Sequence, residues 1–227
     1  MLLARMKTAI LLVIGTSFAM SPVRALSELG SKASRDDHPE TKKRHANSPG
    51  RLLVLRIGAS QKHDAEAILK AQAPEGLKHP PEGYEWVRFD SKLRNREGLV
   101  LRKSEGEAPD GLEFLLVKLD TNDVTERDLL AVEEAKGDHG EPAINFRLNP
   151  PGAKKLGTLT RTHIPEEEGA FKHRLAMIVD GVAIYVPALV MEISSGQVLL
   201  ELGRDADQSE VARIFAGLSA AVQKGQK

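Results

Sequence analysis

An Asp-Gly pair stands inside the least polar stretch that follows the N-terminal segment. The stretch reads RLAMIVDGVAIYVPALV (174–190), and the pair is Asp180 and Gly181. A carboxylate set in an apolar wall could act as an acid, a base or a metal ligand. Asp-Gly between two β-type runs is also the preferred dipeptide of a two-residue hairpin, because both positions need a positive φ. We therefore expect Asp180 and Gly181 to form a turn whose carboxylate is solvated.

A second group of polar residues comprises His163, Glu166 and His173, with two more glutamates directly after Glu166. Imidazole and carboxylate groups could together bind a divalent metal or a small ligand. Their spacing does not match the i, i+4 histidine pair of an HExxH helix, and PEEEG (165–169) is typical of a charged, solvated loop. We therefore predict no metal ligand here, and we keep a metal-dependent small-ligand or cell-wall-binding module as the alternative.

No set of residues for other catalytic chemistry is recognisable in the sequence. The chain has no cysteine, which removes thiolate nucleophiles and zinc-thiolate sites. No G-x-S-x-G elbow, S-x-x-K pair or P-loop is present. Aromatic residues are only 4% of the chain and the formal net charge is zero, so nothing favours nucleic acid as a partner. We predict that the protein is not an enzyme and needs no cofactor.

The N-terminus predicts export. Arg5 and Lys7 precede an apolar run, TAILLVIGTSFAM (8–20), and SPVRA ends on the small residue Ala25. This is the pattern of a secretory signal peptide, and the run is too short to span a bilayer comfortably as a helix. We expect a periplasmic or extracytoplasmic protein that meets the membrane only if the signal stays uncleaved.

The predicted organisation has three parts. Residues 1–25 are the signal peptide, and 26–50 form a polar linker of mixed charge that lacks apolar periodicity. Residues 51–227 form the folded domain, with subdomains considered at about 51–110 and 111–227.

Predicted strands and helices are interspersed along this domain. Strand candidates include RLLVLRIG (51–58), the two arms around Asp180-Gly181, and QVLLELG (197–203). Helices are predicted at 62–72, with Ala65, Ile68 and Leu69 on one face, and also at 149–162 and 207–223. The segment DVTERDLLAVEEAK (123–136) is compatible with a short helix capped by Thr125 or with a strand. The pattern predicts an α+β fold with an antiparallel sheet and packed helices.

The run after the Asp-Gly turn carries the candidate binding residues. Pro187 cannot donate to a sheet ladder, so the strand is expected to end, bulge or lie at an edge there. An edge strand bearing Tyr185 and Leu189 could pair with an extended segment of another chain. In the alternative interpretation, Tyr185 and Leu189 complete the core.

An ordered series of motifs resembles the first large periplasmic domain of SecD, a subunit of the bacterial preprotein translocase accessory complex. The strand–Asp-Gly–strand–Pro segment, following an NPPGAKKL helix, is the most specific of these motifs. The motifs are GYEWV (83–87), LLVKLDTNDVTERDL (115–129), GEPAINFRLNPPGAKKLGTLT (140–160), RLAMIVDGVAIYVPAL (174–189) and GQVLLEL (196–202).

The resemblance covers about residues 52–222 and implies an α+β periplasmic domain without catalytic residues. It implies as partners an exported polypeptide or an envelope protein, translocase subunits included. The sequence has no apolar run of 18 or more residues, so we expect a stand-alone copy without the proton-conducting membrane helices of SecD. IYVPAL (184–189) is bulkier than the small residues that the family often places before this proline. A copy that retains only the fold is a further alternative.

Overall fold

The strand-forming segments assemble into two β-sheets. The computed structural model describes residues 52–93, 96–104, 112–137, 139–165, 172–202 and 206–225, all within a unit that spans His45–Lys227. The predicted signal peptide and linker lie outside the described residues. The strands are β1 (Leu53–Ile57), β2 (Tyr84–Phe89), β3 (Leu101–Lys103), β4 (Glu113–Lys118), β5 (Val124–Thr125), β6 (Leu129–Lys136), β7 (Pro142–Leu148), β8 (Leu175–Val179), β9 (Val182–Tyr185) and β10 (Gln197–Glu201). The helices are α1 (Ala65–Gln72), α2 (Pro150–Arg161) and α3 (Gln208–Gly225).

The larger sheet has seven strands in the order β3-β4-β2-β9-β8-β1-β5. Five of its six neighbouring pairs are antiparallel, and only β2 and β9 run parallel. The smaller sheet has the order β10-β7-β6 and is wholly antiparallel. The predicted α+β class with a mainly antiparallel sheet is therefore confirmed, and the parallel contact between β2 and β9 is the feature that the sequence did not indicate.

The main core joins both sheets to α2 and α3. Inward residues of β1 and β8 meet the alternating residues of β7, and Leu156 of α2 and Ile214 of α3 close over them. Ile144 and Phe146 of β7 are fully buried, as the alternation of the strand predicts. This core fixes the position of β9 and of the chain that follows it.

Helix α1 buries a different face from the predicted one. Ile68 and Ala71 face the core, whereas Leu69 is 75% exposed. Of the predicted face, Ala65, Ile68 and Leu69, only Ile68 is buried, because this helix of eight residues packs through Ile68 and Ala71. In so short a helix, the apolar periodicity of the sequence does not show whether Leu69 or Ala71 joins Ile68 in the core.

The ambiguous segment 123–136 contains both of the predicted structures. Thr125 caps a single 3-10 turn, Glu126–Asp128, in which the Asp128 carboxylate accepts a hydrogen bond from the Thr125 amide at 2.9 Å. Strand β6 begins at the next residue. Asn149 caps α2 as expected, because its side-chain oxygen accepts from the Gly152 amide at 2.8 Å.

Candidate functional site: the segment after the Asp-Gly turn and a histidine cluster

Asp180 and Gly181 form the two-residue turn between β8 and β9. Their φ angles are +50° and +76°, the values that a type I′ turn requires at both central positions. Val179 pairs with Val182 across the turn. The Asp180 carboxylate accepts a hydrogen bond from Arg213 of α3, and both side chains are largely exposed. This exposed ion pair links the hairpin to α3.

Strand β9 is an interior strand, with β8 on one side and β2 on the other. Its regular pairing ends at Tyr185, and a register irregularity lies opposite, between Met177 and Ile178. The chain continues to pair on the β8 side only. The Leu175 amide donates to the Pro187 carbonyl at 3.0 Å, and a single bridge joins Arg174 to Ala188. The strand was expected to end, bulge or lie at an edge near Pro187. The structure shows the end and a register irregularity, and β9 is not an edge strand.

The three candidate binding residues differ in exposure. Tyr185 is half-buried, and its hydroxyl lies 3.4 Å from a carboxylate oxygen of Glu201 on β10. Burial, followed by the charge of Glu201, raises the pKa of Tyr185. Pro187 is buried, and Leu189 is 3% exposed within the main core. Leu189 and Pro187 therefore attach the segment to the core, and Tyr185 packs against the same core while part of its side chain stays accessible.

Two apolar side chains that the sequence analysis did not single out follow directly. Val190 and Met191 are 41% and 42% exposed, although they continue the same apolar run. The sequence signal for them is the apolar run that continues beyond Pro187. A strand with one face buried alternates apolar and polar residues, whereas this run stays apolar through Met191. We name residues 185–191 the ledge segment.

The structure brings His163 and His173 together and adds His63, which sequence reasoning missed. The rings of His63 and His173 stack with centroids 5.0 Å apart, and His163 meets His173 edge-on at the same separation. His163 Nδ1 lies 2.8 Å from the Leu159 carbonyl at the end of α2. Glu166, the third member of the predicted group, lies outside the described residues. We call His63, His163 and His173 the histidine cluster.

A buried carboxylate lies beside this cluster. Asp64 accepts from the Ser60 amide at 2.8 Å and from the Tyr84 hydroxyl at 2.8 Å, and its carboxylate is 3.0 Å from the Lys118 ammonium. Burial alone would raise the pKa of Asp64, but these three partners together hold it below its ordinary value. Burial and Asp64 raise the pKa of Tyr84 to about 12. Asp64 is therefore an anion at neutral pH.

Burial is the main reason that the pKa of His173 is lowered to about 4. The neighbouring charges of His163, His63 and Lys118 act in the same direction, and Asp64 opposes them. His173 is consequently neutral at physiological pH. Within the part of the chain that the structure describes, no group of three or more His, Asp or Glu side chains is placed to hold a metal ion.

A groove of about 290 Å³ lies at the opposite end of the hairpin, where the turn meets β2 and α3. Its lining includes Phe89, Val182 and Ile184, together with the charged residues Lys92 and Arg213. Cations and carboxylates alternate around it, so it shows no preference for a ligand of one charge.

Comparisons with known proteins gave matches among solved structures only. The chain matches no protein-family model and no curated protein. It is similar to a solved structure of SecDF, described as a membrane component that enhances protein export, at 21% identity over 75% of this chain and 63% of that chain, with a TM-score of 0.40. SecDF in a super-membrane-facing form is 20% identical over 75% of this chain and 19% of that one, with a TM-score of 0.41.

A third similar structure is SecDF from Thermus thermophilus, described as a translocon-associated membrane protein. It is 21% identical over 76% of this chain and 20% of that chain, with a TM-score of 0.34. The chain thus spans 63% of the length of the first structure and about a fifth of the others. Among the described helices, none is long and apolar enough to cross a membrane.

Proposed function

We propose that this chain is a non-enzymatic, exported SecD-like domain that binds an extended polypeptide and thereby assists protein export. The order of the sequence motifs and the signal-peptide pattern of residues 1–25 support the class and an extracytoplasmic location. An envelope protein that offers an extended segment would use the same surface. The observation that carries the proposal is the position of β10 at the edge of the smaller sheet, beside Tyr185.

Strand β10 has the backbone geometry for strand addition. Hydrogen bonds from Leu148 to Gly196 and from Leu202 to Pro142 fix the register of β10 on β7. Because antiparallel partners alternate, the amide and carbonyl of Leu199 point away from β7. Among the described residues, β7 is the only strand that pairs with β10. An extended polypeptide could add there as a fourth strand.

Apolar surface close to this edge would contact the side chains of the added strand. Leu199 is 37% exposed, and Tyr185 reaches the same end of β10 through Glu201. The exposed Val190 and Met191 belong to the ledge segment, which precedes β10 in the chain. In this proposal Tyr185 contacts the polypeptide, while Pro187 and Leu189 hold the ledge segment on the core.

A proline substitution at the edge tests strand addition directly. Leu199→Pro removes the outward amide but no hydrogen bond to β7, so the domain should stay folded. Leu199→Ala removes the side chain and keeps the amide. We expect a fluorescently labelled, unstructured apolar peptide to bind the wild-type domain, and we expect Leu199→Pro to weaken binding at least tenfold by fluorescence anisotropy. Leu199→Ala should weaken it by less than threefold.

A second variant separates the ledge segment from the edge. Met191→Ser should reduce affinity severalfold without changing the melting temperature, since Met191 is exposed. The exposed Leu69→Ser on α1 is the matched control and should have no effect on binding. The proposal fails if Leu199→Pro binds the peptide as tightly as the wild type, or if the wild type binds no extended peptide or envelope protein.

A further inference from the structure

The histidine cluster joins three parts of the chain that are far apart in sequence. His63 precedes α1, His163 follows α2, and His173 precedes β8. His63 is exposed and His163 is half-buried, so water reaches both rings, whereas His173 is buried between them. Imidazole ordinarily gains its proton near pH 6.5, within the range that an extracytoplasmic compartment can reach.

The backbone of His173 is directly connected to the ledge segment. Its carbonyl accepts a hydrogen bond from the Leu189 amide at 2.7 Å, and the next bond along the pair runs from Leu175 to Pro187. These two hydrogen bonds attach the buried half of the ledge segment to the start of β8. A displacement of His173 would therefore loosen the anchoring of residues 187–189.

We propose that the histidine cluster is a proton-operated clasp, which holds the ledge segment in place at neutral pH and releases it in mild acid. The clasp rests on the proposed function, because the segment that it regulates is the one assigned to polypeptide contact. In the neutral form the three rings pack face to face and edge to face. In acid, protonation of His63 and His163 places two positive charges around His173, whose ring centroid is 5.0 Å from each of theirs, and like charges repel.

Among the described charged groups around His173, one carboxylate opposes this repulsion. Lys118 of β4 is already a cation, and Asp64, which adjoins His63, is the only carboxylate among the described groups that influence the His173 pKa. Asp64 is itself paired with Lys118 at 3.0 Å. The same neighbours, together with burial, lower the pKa of His173.

Two further polar groups lie near the cluster and do not titrate in this range. The Tyr84 hydroxyl of β2 donates to Asp64, and its pKa is raised to about 12. The Arg174 guanidinium, next along the chain, donates to the Glu97 carbonyl at 2.9 Å and stays cationic. The clasp therefore relies on the accessible imidazoles of His63 and His163 for its change of charge.

Hydrogen exchange at single amides tests the clasp in the intact protein. The protection factor of the Leu189 amide, corrected for the intrinsic pH dependence of exchange, should fall at least tenfold between pH 7.5 and pH 5. The Leu148 amide, which bonds Gly196 in the smaller sheet, reports on unfolding of the whole domain and should lose less protection than Leu189 over the same range. Equal pH dependence at both amides would show global unfolding and would overturn the proposal.

Ring-preserving variants identify the groups that respond. In the double variant His63→Phe, His163→Phe, the aromatic packing is kept and two charges are removed, so Leu189 should stay protected down to pH 5. If the double variant folds poorly, either single variant, which removes one of the two repelling charges, should likewise leave Leu189 protected. His139→Gln, at an exposed loop, is the control and should behave as wild type. Unchanged release in the folded single and double variants would refute the clasp.

Two additional measurements distinguish the clasp from the proposed function and from a metal site. Peptide binding at pH 7.5 reports on the proposed function alone, so normal binding with a pH-independent Leu189 amide would refute only the clasp. Zinc chloride at pH 7.5 should not raise the melting temperature. A rise that is lost in His163→Ala, His173→Ala would overturn the clasp in favour of a metal site.

Discussion

The imidazole of His173 stacks on that of His63 with the ring planes inclined by 24°, so a buried histidine is covered by an exposed one. Burial keeps His173 neutral and lowers its pKa to about 4. In the unfolded chain this histidine should titrate near pH 6.5. Between about pH 6.5 and pH 4, the unfolded chain therefore binds a proton at His173 that the folded protein does not bind.

This difference predicts how stability depends on pH. As the pH falls from 6.5 to 4, the unfolded state binds the proton first, so the free energy of unfolding decreases by about 1–3 kcal/mol. The contribution is fully present above pH 6.5. Urea denaturation at a series of pH values checks this, with His139→Gln as the control that keeps the slope. A slope unchanged in a folded His173→Phe variant would contradict the assignment to His173.

Arg56 of β1 supplies a buried cation between two carboxylates. Its guanidinium donates to Glu85 at 2.5 Å and to Asp123 at 2.6 Å, and Arg56 is almost fully buried. Burial raises the pKa of Asp123 despite this cation. Arg56→Met should destabilise the domain by about 3–5 kcal/mol, because it leaves buried carboxylates without their counter-charge. Chemical denaturation measures the loss.

An exposed ion pair provides the comparison for Arg56. Lys70 lies 2.7 Å from Glu66, one turn earlier on α1, and both side chains are in water. Lys70→Met should cost less than about 0.5 kcal/mol. Adding Asp123→Asn to Arg56→Met should recover part of the stability, since a neutral amide is less costly to bury. Similar losses for Arg56→Met and Lys70→Met would show that burial of the pair does not matter.

Two glycines of α2 should respond oppositely to alanine. A Cβ at Gly152 would lie 2.6 Å from the Asp128 Cβ, and Asp128 is fixed by its bonds to Thr125 and Lys155. A Cβ at Gly157 would lie 3.4 Å from the flexible end of Glu192 and at ordinary contact distance, 3.7 Å, from the Ser194 Cα. Gly157→Ala should stabilise the domain by up to about 1 kcal/mol, because glycine in a helix is entropically costly.

Gly152→Ala, by the same comparison, should destabilise the domain by more than about 1 kcal/mol through overpacking. Thermal and urea unfolding of the two variants measure both effects. A stabilising Gly152→Ala substitution would mean that Asp128 and the capped turn can move aside.

The Asp-Gly turn should tolerate asparagine better than valine at Gly181. A β-branched residue at φ +76° is strained, so Gly181→Val should cost about 1–2 kcal/mol or more. Gly181→Asn should cost less than about 1 kcal/mol, because asparagine enters this region more readily. Both are measured by denaturation, and equal costs would indicate that loss of flexibility rather than strain dominates.

Local chemistry in the sequence was sufficient for the turn, the cap and the strand alternation. Asp180-Gly181 encodes its backbone angles through residue type, and Asn149 caps α2 through an oxygen only three residues from its donor. The inward face of β7 follows from a period of two. These features require no knowledge of what lies on the other side of the core.

Tertiary structure decided the sites themselves. The sequence left Leu189 between core and binding surface, and only the arrangement of both sheets buries it. His63 joined His173 because the order of strands in the larger sheet places the start of α1 beside the start of β8. The pattern of one sequence indicates which residues prefer burial or a turn. The order of the strands is set by the packing free energy of the whole domain. Side-chain neighbours that depend on strand order were therefore beyond the sequence.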